Sequence, residues 1–172
     1  MRIVNLLTTL AVLIGAAAAL TWWNERRAEG LGRAIDGDTL VLEGERYRLK
    51  GIDAPEHAQI CEKDGKPWRC GEAARLALAR QLDSGPLFCR SSERDRYGRH
   101  LAVCAVGGAD LNAYMVRSGA AFASGAYESE EKEARDARRG VWSASRADKP
   151  AEWRRTHPAP NAPSAPAPRL LP

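Results

Sequence analysis

The chain has 172 residues, with 26 Lys plus Arg against 22 Asp plus Glu, four cysteines and ten prolines. That length accommodates one domain with tails and argues against two domains, long coiled coils or repeat arrays. A hydrophobic content of 44% beside 28% charged residues excludes wholesale disorder.

Residues 3–23 carry no charge, and the run from Leu6 to Trp23 is long enough to cross a bilayer. This is a targeting or anchoring segment. Ala16 to Ala19 suit cleavage of a signal peptide, whereas Trp22 and Trp23 suit the interfacial anchors of an uncleaved helix. The expectation is an exported domain, either membrane-anchored and facing the periplasm or extracellular space, or secreted after cleavage. Arg26, Arg27 and Arg33 after the span, against Arg2 before it, weakly oppose that orientation. From Pro150 to Pro172 the chain holds seven of its ten prolines and no glycine, the composition of a disordered or polyproline-like tail. The organisation expected is therefore residues 1–25 as signal peptide or anchor, 26–145 as one folded domain and 146–172 as a disordered Pro-rich tail.

Residues 31–145 hold 18 basic and 18 acidic side chains, so the net charge of +4 lies in the two ends. A polyanion would have to be recognised by local clusters such as Arg94, Arg96 and Arg99, not by a global field. Arg146, Lys149, Arg154 and Arg155 could touch nucleic acid or anionic lipid, but read first as the solubilising charges of a linker.

Three short strands are predicted at Gly32 to Ile35, Thr39 to Leu42 and Arg46 to Ile52, the last two joined by the turn Glu43-Gly44-Glu45. A helix over Glu72 to Leu82 ends at Ser84, Gly85 and Pro86. Leu87 to Ser91 and Leu101 to Val106 form a hairpin around the polar stretch Arg94 to Arg99. Asp110 is placed to cap a helix over Leu111 to Ser118, and Gly119 to end it. Glu128 to Arg139 is a charged helix, acidic first and basic last, as the helix dipole favours. Strands, helix, hairpin and two helices predict a mainly β, α+β domain: a small, mainly antiparallel, five-stranded OB-like barrel with three helices packed on it.

Behind an export-type segment, four cysteines favour two disulfides. In a hairpin centred on Arg96 and Tyr97, Cys89 faces Cys104, within disulfide reach. Cys61 and Cys70 then close the loop that contains Asp64, Gly65, Lys66, Pro67 and Trp68. Zinc is a poor fit to these spacings.

Three clusters carry candidate chemistry: Asp36-Gly37-Asp38-Thr39, Arg48 through Asp53 to Glu56, and Asp95-Arg96-Tyr97-Gly98-Arg99. Each alone is an ordinary turn or loop. Together they supply the parts of phosphodiester hydrolysis. Asp38 and Asp53 offer oxygen ligands to a hard divalent cation. Arg48 and Arg99 fit phosphate oxygens in a fork, and Glu56 can orient or deprotonate water. His57 and His100 stand beside these clusters and read as surface residues, Trp142 as a packing anchor, and Trp68 as packing beneath its own loop.

The stretches Ile35 to Thr39, Arg48 to Glu56 and Asp95 to Arg99, followed by Leu111-Asn112, Gly119 and Gly140-Val141-Trp142, resemble the staphylococcal nuclease (thermonuclease) family in order and spacing. The resemblance implies an OB-fold barrel with three helices and calcium-dependent cleavage of DNA or RNA, leaving 3′-phosphate and 5′-hydroxyl ends. By position, Asp38 and Asp53 match calcium ligands, joined by the backbone carbonyl of Ala54. Glu56 matches the residue assigned as general base or water-positioning group, Arg48 and Arg99 match the phosphate-binding arginines, and Tyr97 matches a nucleotide-contacting tyrosine. Two departures are visible. Ala54 stands where relatives often have threonine, which leaves a carbonyl ligand intact. The aromatic expected five or six residues after Gly119 falls on Ser124 or Gly125, with Tyr127 as a substitute. No obligate protein partner is implied. The competing reading is a catalytically inactive OB-fold nucleic-acid-binding module, and a weaker third is a membrane-tethered adaptor acting through the proline-rich tail.

Overall fold

The structure, a computed structural model, describes residues 10–14 and 25–158. The apolar segment at the N-terminus lies outside the described residues except for 10–14, which are helical. Among the described residues no helix is long and apolar enough to cross a membrane. The Pro-rich end from residue 159 also lies outside them.

One curled sheet carries the fold. Its strands are β1 (Arg26–Gly30), β2 (Gly32–Ala34), β3 (Thr39–Leu42), β4 (Glu45–Leu49), β8 (Leu87–Arg94) and β9 (His100–Val106), in the order β1-β8-β9-β4-β3-β2, with β10 (Ala109–Asp110) on β9. The short strands β5 (Ile52–Asp53) and β11 (Phe122–Ala123) pair with each other, as do β6 (Cys61–Lys63) and β7 (Lys66–Trp68). The helices are α1 (Cys70–Leu82), α2 (Leu111–Arg117), α3 (Glu128–Asp136) and α4 (Pro150–Thr156), with a 3₁₀ turn at Gly140–Ser143. The OB-like α+β expectation is met as this half-barrel with helices packed on it. Its pairings are mainly antiparallel, as expected, but β4 runs parallel to β9, which makes the sheet mixed.

The core is built by alternation in the strands and by helical spacing in α1. Leu40 and Leu42 from β3, Tyr47 and Leu49 from β4 and Leu87 from β8 are fully or almost fully buried, and Ala74, Leu78 and Leu82 present one face of α1 to them. Spacings of four keep those three side chains on a single helical stripe. Leu111, Met115 and Val116 of α2 complete the cluster. The α2 cap follows its sequence signal: the Asp110 carboxylate accepts from the Ala113 N–H at 2.9 Å, and Gly119 turns the chain away at φ 71°.

Cys89 lies directly opposite Cys104 in the hairpin of β8 and β9, and the two are disulfide-bonded, as are Cys61 and Cys70. A bulge between Ser91 and Glu93 shifts the register by one toward the tip.

Two elements differ from the sequence reading. β1 pairs over its whole length, Arg26 to Gly30, with Leu87 to Ser91 of β8, although only Ala28 of it is buried, so its sequence carries almost no apolar alternation. Residues 145–156, most of them in the stretch read as a tail, are also built into the structure. Ser145 N–H donates to the Glu62 carbonyl at 2.9 Å, Glu62 N–H to the Arg146 carbonyl at 2.8 Å, and Gln59 Nε2 to the Asp148 carbonyl at 2.8 Å. The helix α4 follows.

Candidate active site

Strand periodicity decides what faces the cleft. Tyr47 and Leu49 of β4 point into the core, so Arg46 and Arg48, two apart, share the opposite face. Register places Arg48 beside Thr39 of β3, and the parallel β4–β9 pairing brings the hairpin tip, with Asp95 to Arg99, alongside. The result is an open cleft of about 490 Å³ lined by Asp38, Arg48, Glu56, Tyr97 and Arg99. Asp36, Arg46, Arg96 and Arg154 complete its wall.

The acidic side is tied together by Arg48. Its Nη1 lies 2.7 Å from Asp38 Oδ1 and its Nη2 2.8 Å from Asp53 Oδ1. Asp38 is only 4% exposed. Its other oxygen accepts from the Ala54 N–H at 3.1 Å, and its Oδ1 from Thr39 Oγ1 at 2.9 Å. A carboxylate so buried persists only when charge-paired and hydrogen-bonded. Nearby, burial raises the Asp36 carboxyl above its ordinary value, against the opposing bond from Gly37 N–H.

Glu56 is positioned from the backbone. Its N–H donates to Gln59 Oε1 at 3.2 Å and its carbonyl accepts from Gln59 N–H at 2.7 Å. Gly71 in the first turn of α1 lies so near that a Cβ there would stand 1.7 Å from the Glu56 carbonyl oxygen. Only glycine allows that approach.

Arg99 is held by Asp95. Its guanidinium Nε and Nη2 lie 2.8 and 2.7 Å from Asp95 Oδ2, and its Nη1 donates to Thr39 Oγ1 at 3.3 Å. The Tyr97 ring is 69% exposed and stands within 5.5 Å of the Arg99 guanidinium carbon and 4.9 Å of that of Arg96.

Several neighbours depart from their sequence reading. His100 is 5% exposed and stacks on Tyr47 with ring centroids 4.8 Å apart, so it is a core residue, not a surface one. The parallel pairing of Tyr47 with His100 places it there. Tyr127 does not line the cleft. It packs against the core, and its hydroxyl donates to Asp110 Oδ2 at 3.4 Å. Burial, with the Asp110 charge, pushes its pKa up to about 12. His57 is exposed and has its Nδ1 3.4 Å from Glu72 Oε2, and Trp142 packs edge-on against Phe122.

The residue that sequence reasoning missed is Arg154. Its Nη1 lies 2.6 Å from Glu56 Oε1, and its Nη1 and Nη2 stand 3.2 and 3.1 Å from the two oxygens of Asp53. Burial lowers its pKa, but the bonds to Asp53 and Glu56 outweigh that and hold it above the ordinary arginine value. The sequence did carry a signal for the element that delivers it. Pro150 at the first helical position, Glu152 in the first turn and Arg154 and Arg155 in the last are a helix signature. Arg46 was legible by the period-two rule from Arg48.

Among the described residues no group of three or more His, Cys, Asp and Glu side chains is arranged to hold a metal ion. The donors that do face the cleft are carboxylate oxygens, which suits a hard cation and not a soft one. A guanidinium already bridges Asp53 and Glu56 there, so the site accepts positive charge.

Comparison with known proteins fits this arrangement. Residues 46–144 match the family described as staphylococcal nuclease homologue. The chain is 37% identical to the succinoglycan biosynthesis protein ExoI of Rhizobium meliloti (strain 1021) over 67% of its own length and 64% of that protein. It is 34% identical to the probable staphylococcal-like nuclease CAN1 of Oryza sativa subsp. japonica over 69% of its length, spanning only 35% of that relative. With the micrococcal nuclease of Shigella flexneri it shares 35% identity over 86% of this chain and 95% of the other. Matched by the family over more than half of its residues, the chain belongs to the staphylococcal nuclease family.

Proposed function

We propose that this protein is a calcium-dependent nuclease that hydrolyses phosphodiester bonds of DNA or RNA, leaving 3′-phosphate and 5′-hydroxyl ends. The observation that carries the reading is the meeting of Asp38, Arg48, Glu56 and Arg99, drawn from three separate stretches of chain, in the wall of one cleft, with Asp53 bonded to Arg48. The nuclease and endonuclease names of its relatives support the same class of activity. A module that only bound nucleic acid would have no need of the acidic half of this set.

Asp38 and Asp53, with the Ala54 carbonyl, are the residues that would hold Ca²⁺, which when bound supplies Lewis-acid polarisation of a phosphate oxygen. Glu56 orients a water and takes its proton as the water oxygen bonds to phosphorus. The bond from phosphorus to the 5′ oxygen breaks, and that oxygen takes a proton from solvent. Arg48 and Arg99 donate to the phosphoryl oxygens, whose charge grows in the transition state. Tyr97, exposed at the rim, offers its ring to a nucleotide. Two disulfides suit an oxidising compartment, which supports export of the domain, held at the membrane or released.

Full-length, disulfide-bonded protein in mild detergent, given heat-denatured DNA in Ca²⁺, Mg²⁺ or chelator, tests the reading. Cleavage is expected to need Ca²⁺, and Arg99→Ala to lower its rate by roughly 10²-fold or more. Glu56→Gln at full activity would remove the role given to that carboxylate. No cleavage in any metal by folded protein would leave the binding module as the better description.

A further inference from the structure

The contact between α4 and the cleft assigns a role to the C-terminal segment. We propose that Arg154 is an intramolecular competitor for the divalent cation, so that α4 is a latch that closes the site until metal and substrate displace it. This rests on the nuclease reading of the same carboxylates.

The charge balance favours such an exchange. Within the directly bonded cluster, Asp38, Asp53 and Glu56 set three negative charges against Arg48, the guanidinium that bonds Asp38 and Asp53 without help from α4, which leaves an excess of carboxylate. With Arg154 docked on Asp53 and Glu56 that excess is reduced, and the two carboxylates most needed for chemistry are engaged. The Glu56 Oε1 that a guanidinium occupies at 2.6 Å is not open to a water placed for attack. Ca²⁺ beside Asp53 would repel Arg154 from a distance of a few ångströms, where like charges interact strongly.

The latch is built to open without loss of the fold. The Arg154 side chain is 44% exposed, so release returns it to water at little cost. Its tether stays fixed, because Arg146 and Asp148 are bonded to Glu62 and Gln59 upstream of α4. Pro150 is buried at the start of the helix, and Trp153 stacks on His157 at 4.4 Å in a groove beside Ile60 and Pro67. Arg154 therefore returns to the same carboxylates when the cation leaves.

A docked arginine reduces the fraction of molecules competent to bind metal, and the apparent affinity falls by that fraction. Calorimetric titration of Ca²⁺ into the full-length, disulfide-bonded protein and into Arg154→Ala is the test. Arg154→Ala is expected to bind Ca²⁺ about 10-fold more tightly, the scale of a partly exposed ion-pair cluster, with Arg154→Lys in between. Deuterium uptake by residues 150–156 of the native protein should rise on saturation with Ca²⁺. Equal affinities, weaker binding by Arg154→Ala, or uptake unchanged by Ca²⁺ would overturn the latch. DNA cleavage by the same preparations separates the two readings. Equal affinities with Ca²⁺-dependent cleavage overturn the latch alone, and absence of Ca²⁺ binding in both proteins overturns it together with the calcium assignment.

Discussion

Asp95 holds Arg99 through both main chain and side chain. Its Oδ1 accepts from the Arg99 N–H at 3.0 Å, and its Oδ2 lies 2.7 and 2.8 Å from two guanidinium nitrogens. The Tyr97 N–H donates to the same Oδ1 at 2.9 Å. One carboxylate thus sets the turn of the hairpin tip and the aim of the arginine it carries. Burial alone would raise the Asp95 pKa, but Arg99 and the two backbone N–H groups outweigh it and hold it below the ordinary carboxylate value. The clamp is therefore complete at neutral pH and is lost only as the pH falls through that lowered value. Asp95→Asn keeps the turn acceptor and loses the charge. Cleavage should slow about 10- to 100-fold from misplacement of Arg99, with the thermal midpoint nearly unchanged, as steady-state kinetics beside a melting curve would measure.

Gly71 supports the Glu56 backbone without lining the cleft. A Cβ there collides with the Glu56 backbone, so Gly71→Ala has to push that segment outward. We expect a loss of about 1–3 kcal/mol in stability and a fall in kcat larger than the change in KM. Urea unfolding and cleavage kinetics on one preparation check both.

The two disulfides should contribute unequally. Cys89–Cys104 spans 15 residues and Cys61–Cys70 spans 9. Chain-entropy reasoning assigns about 3 kcal/mol to the first and about 2.5 kcal/mol to the second. Paired Cys→Ser variants, unfolded in urea, report each. Loss of Cys61–Cys70 should also impair cleavage, because it frees the loop that follows Glu56, whereas Cys89–Cys104 lies within the sheet.

His100 makes stability depend on pH. Burial lowers its pKa, Arg94 and Arg26 lower it further, and Glu45 opposes them. Its Nε2 has no hydrogen-bond partner. The unfolded chain takes up a proton near pH 6.5 and the native protein only at lower pH, so the unfolded state binds more protons in that interval. Stability from this residue is full above about pH 6.5 and is lost as the pH falls through the lowered native value. His100→Phe, which keeps the stack on Tyr47, should flatten the decline in melting temperature between pH 7.5 and 5.

Local signals made much of this molecule legible. The alternation of β8 and β9 was enough to set Cys89 opposite Cys104, and the Asp110 cap and the Gly119 stop are short-range features of the chain. The motif residues around Asp38, Arg48 and Arg99 sit on turns and strand ends that any period-two reading delivers to one edge. His100 could not be read this way, because its burial depends on β4, some fifty residues earlier, lying parallel to β9. β1 is specified by pairing with β8, not by its own composition. Arg154 was obscured by its setting: proline and charge around it pointed to a linker, and its partners Asp53 and Glu56 lie about a hundred positions away.

The bonds from Gln59 and Glu62 to residues 145–148 impose an order in time on a chain made from its N-terminus. Synthesis adds about 5–20 residues per second, so the sheet, α1 and α2 can form while the partners of the Glu56 loop do not yet exist. The acidic rim acquires its last fixed neighbours only when Asp148 emerges, and Arg154 arrives six residues later. Nascent protein would therefore assemble Arg48 and Arg99 first and the Glu56 edge last, delivered together with the side chain that covers it.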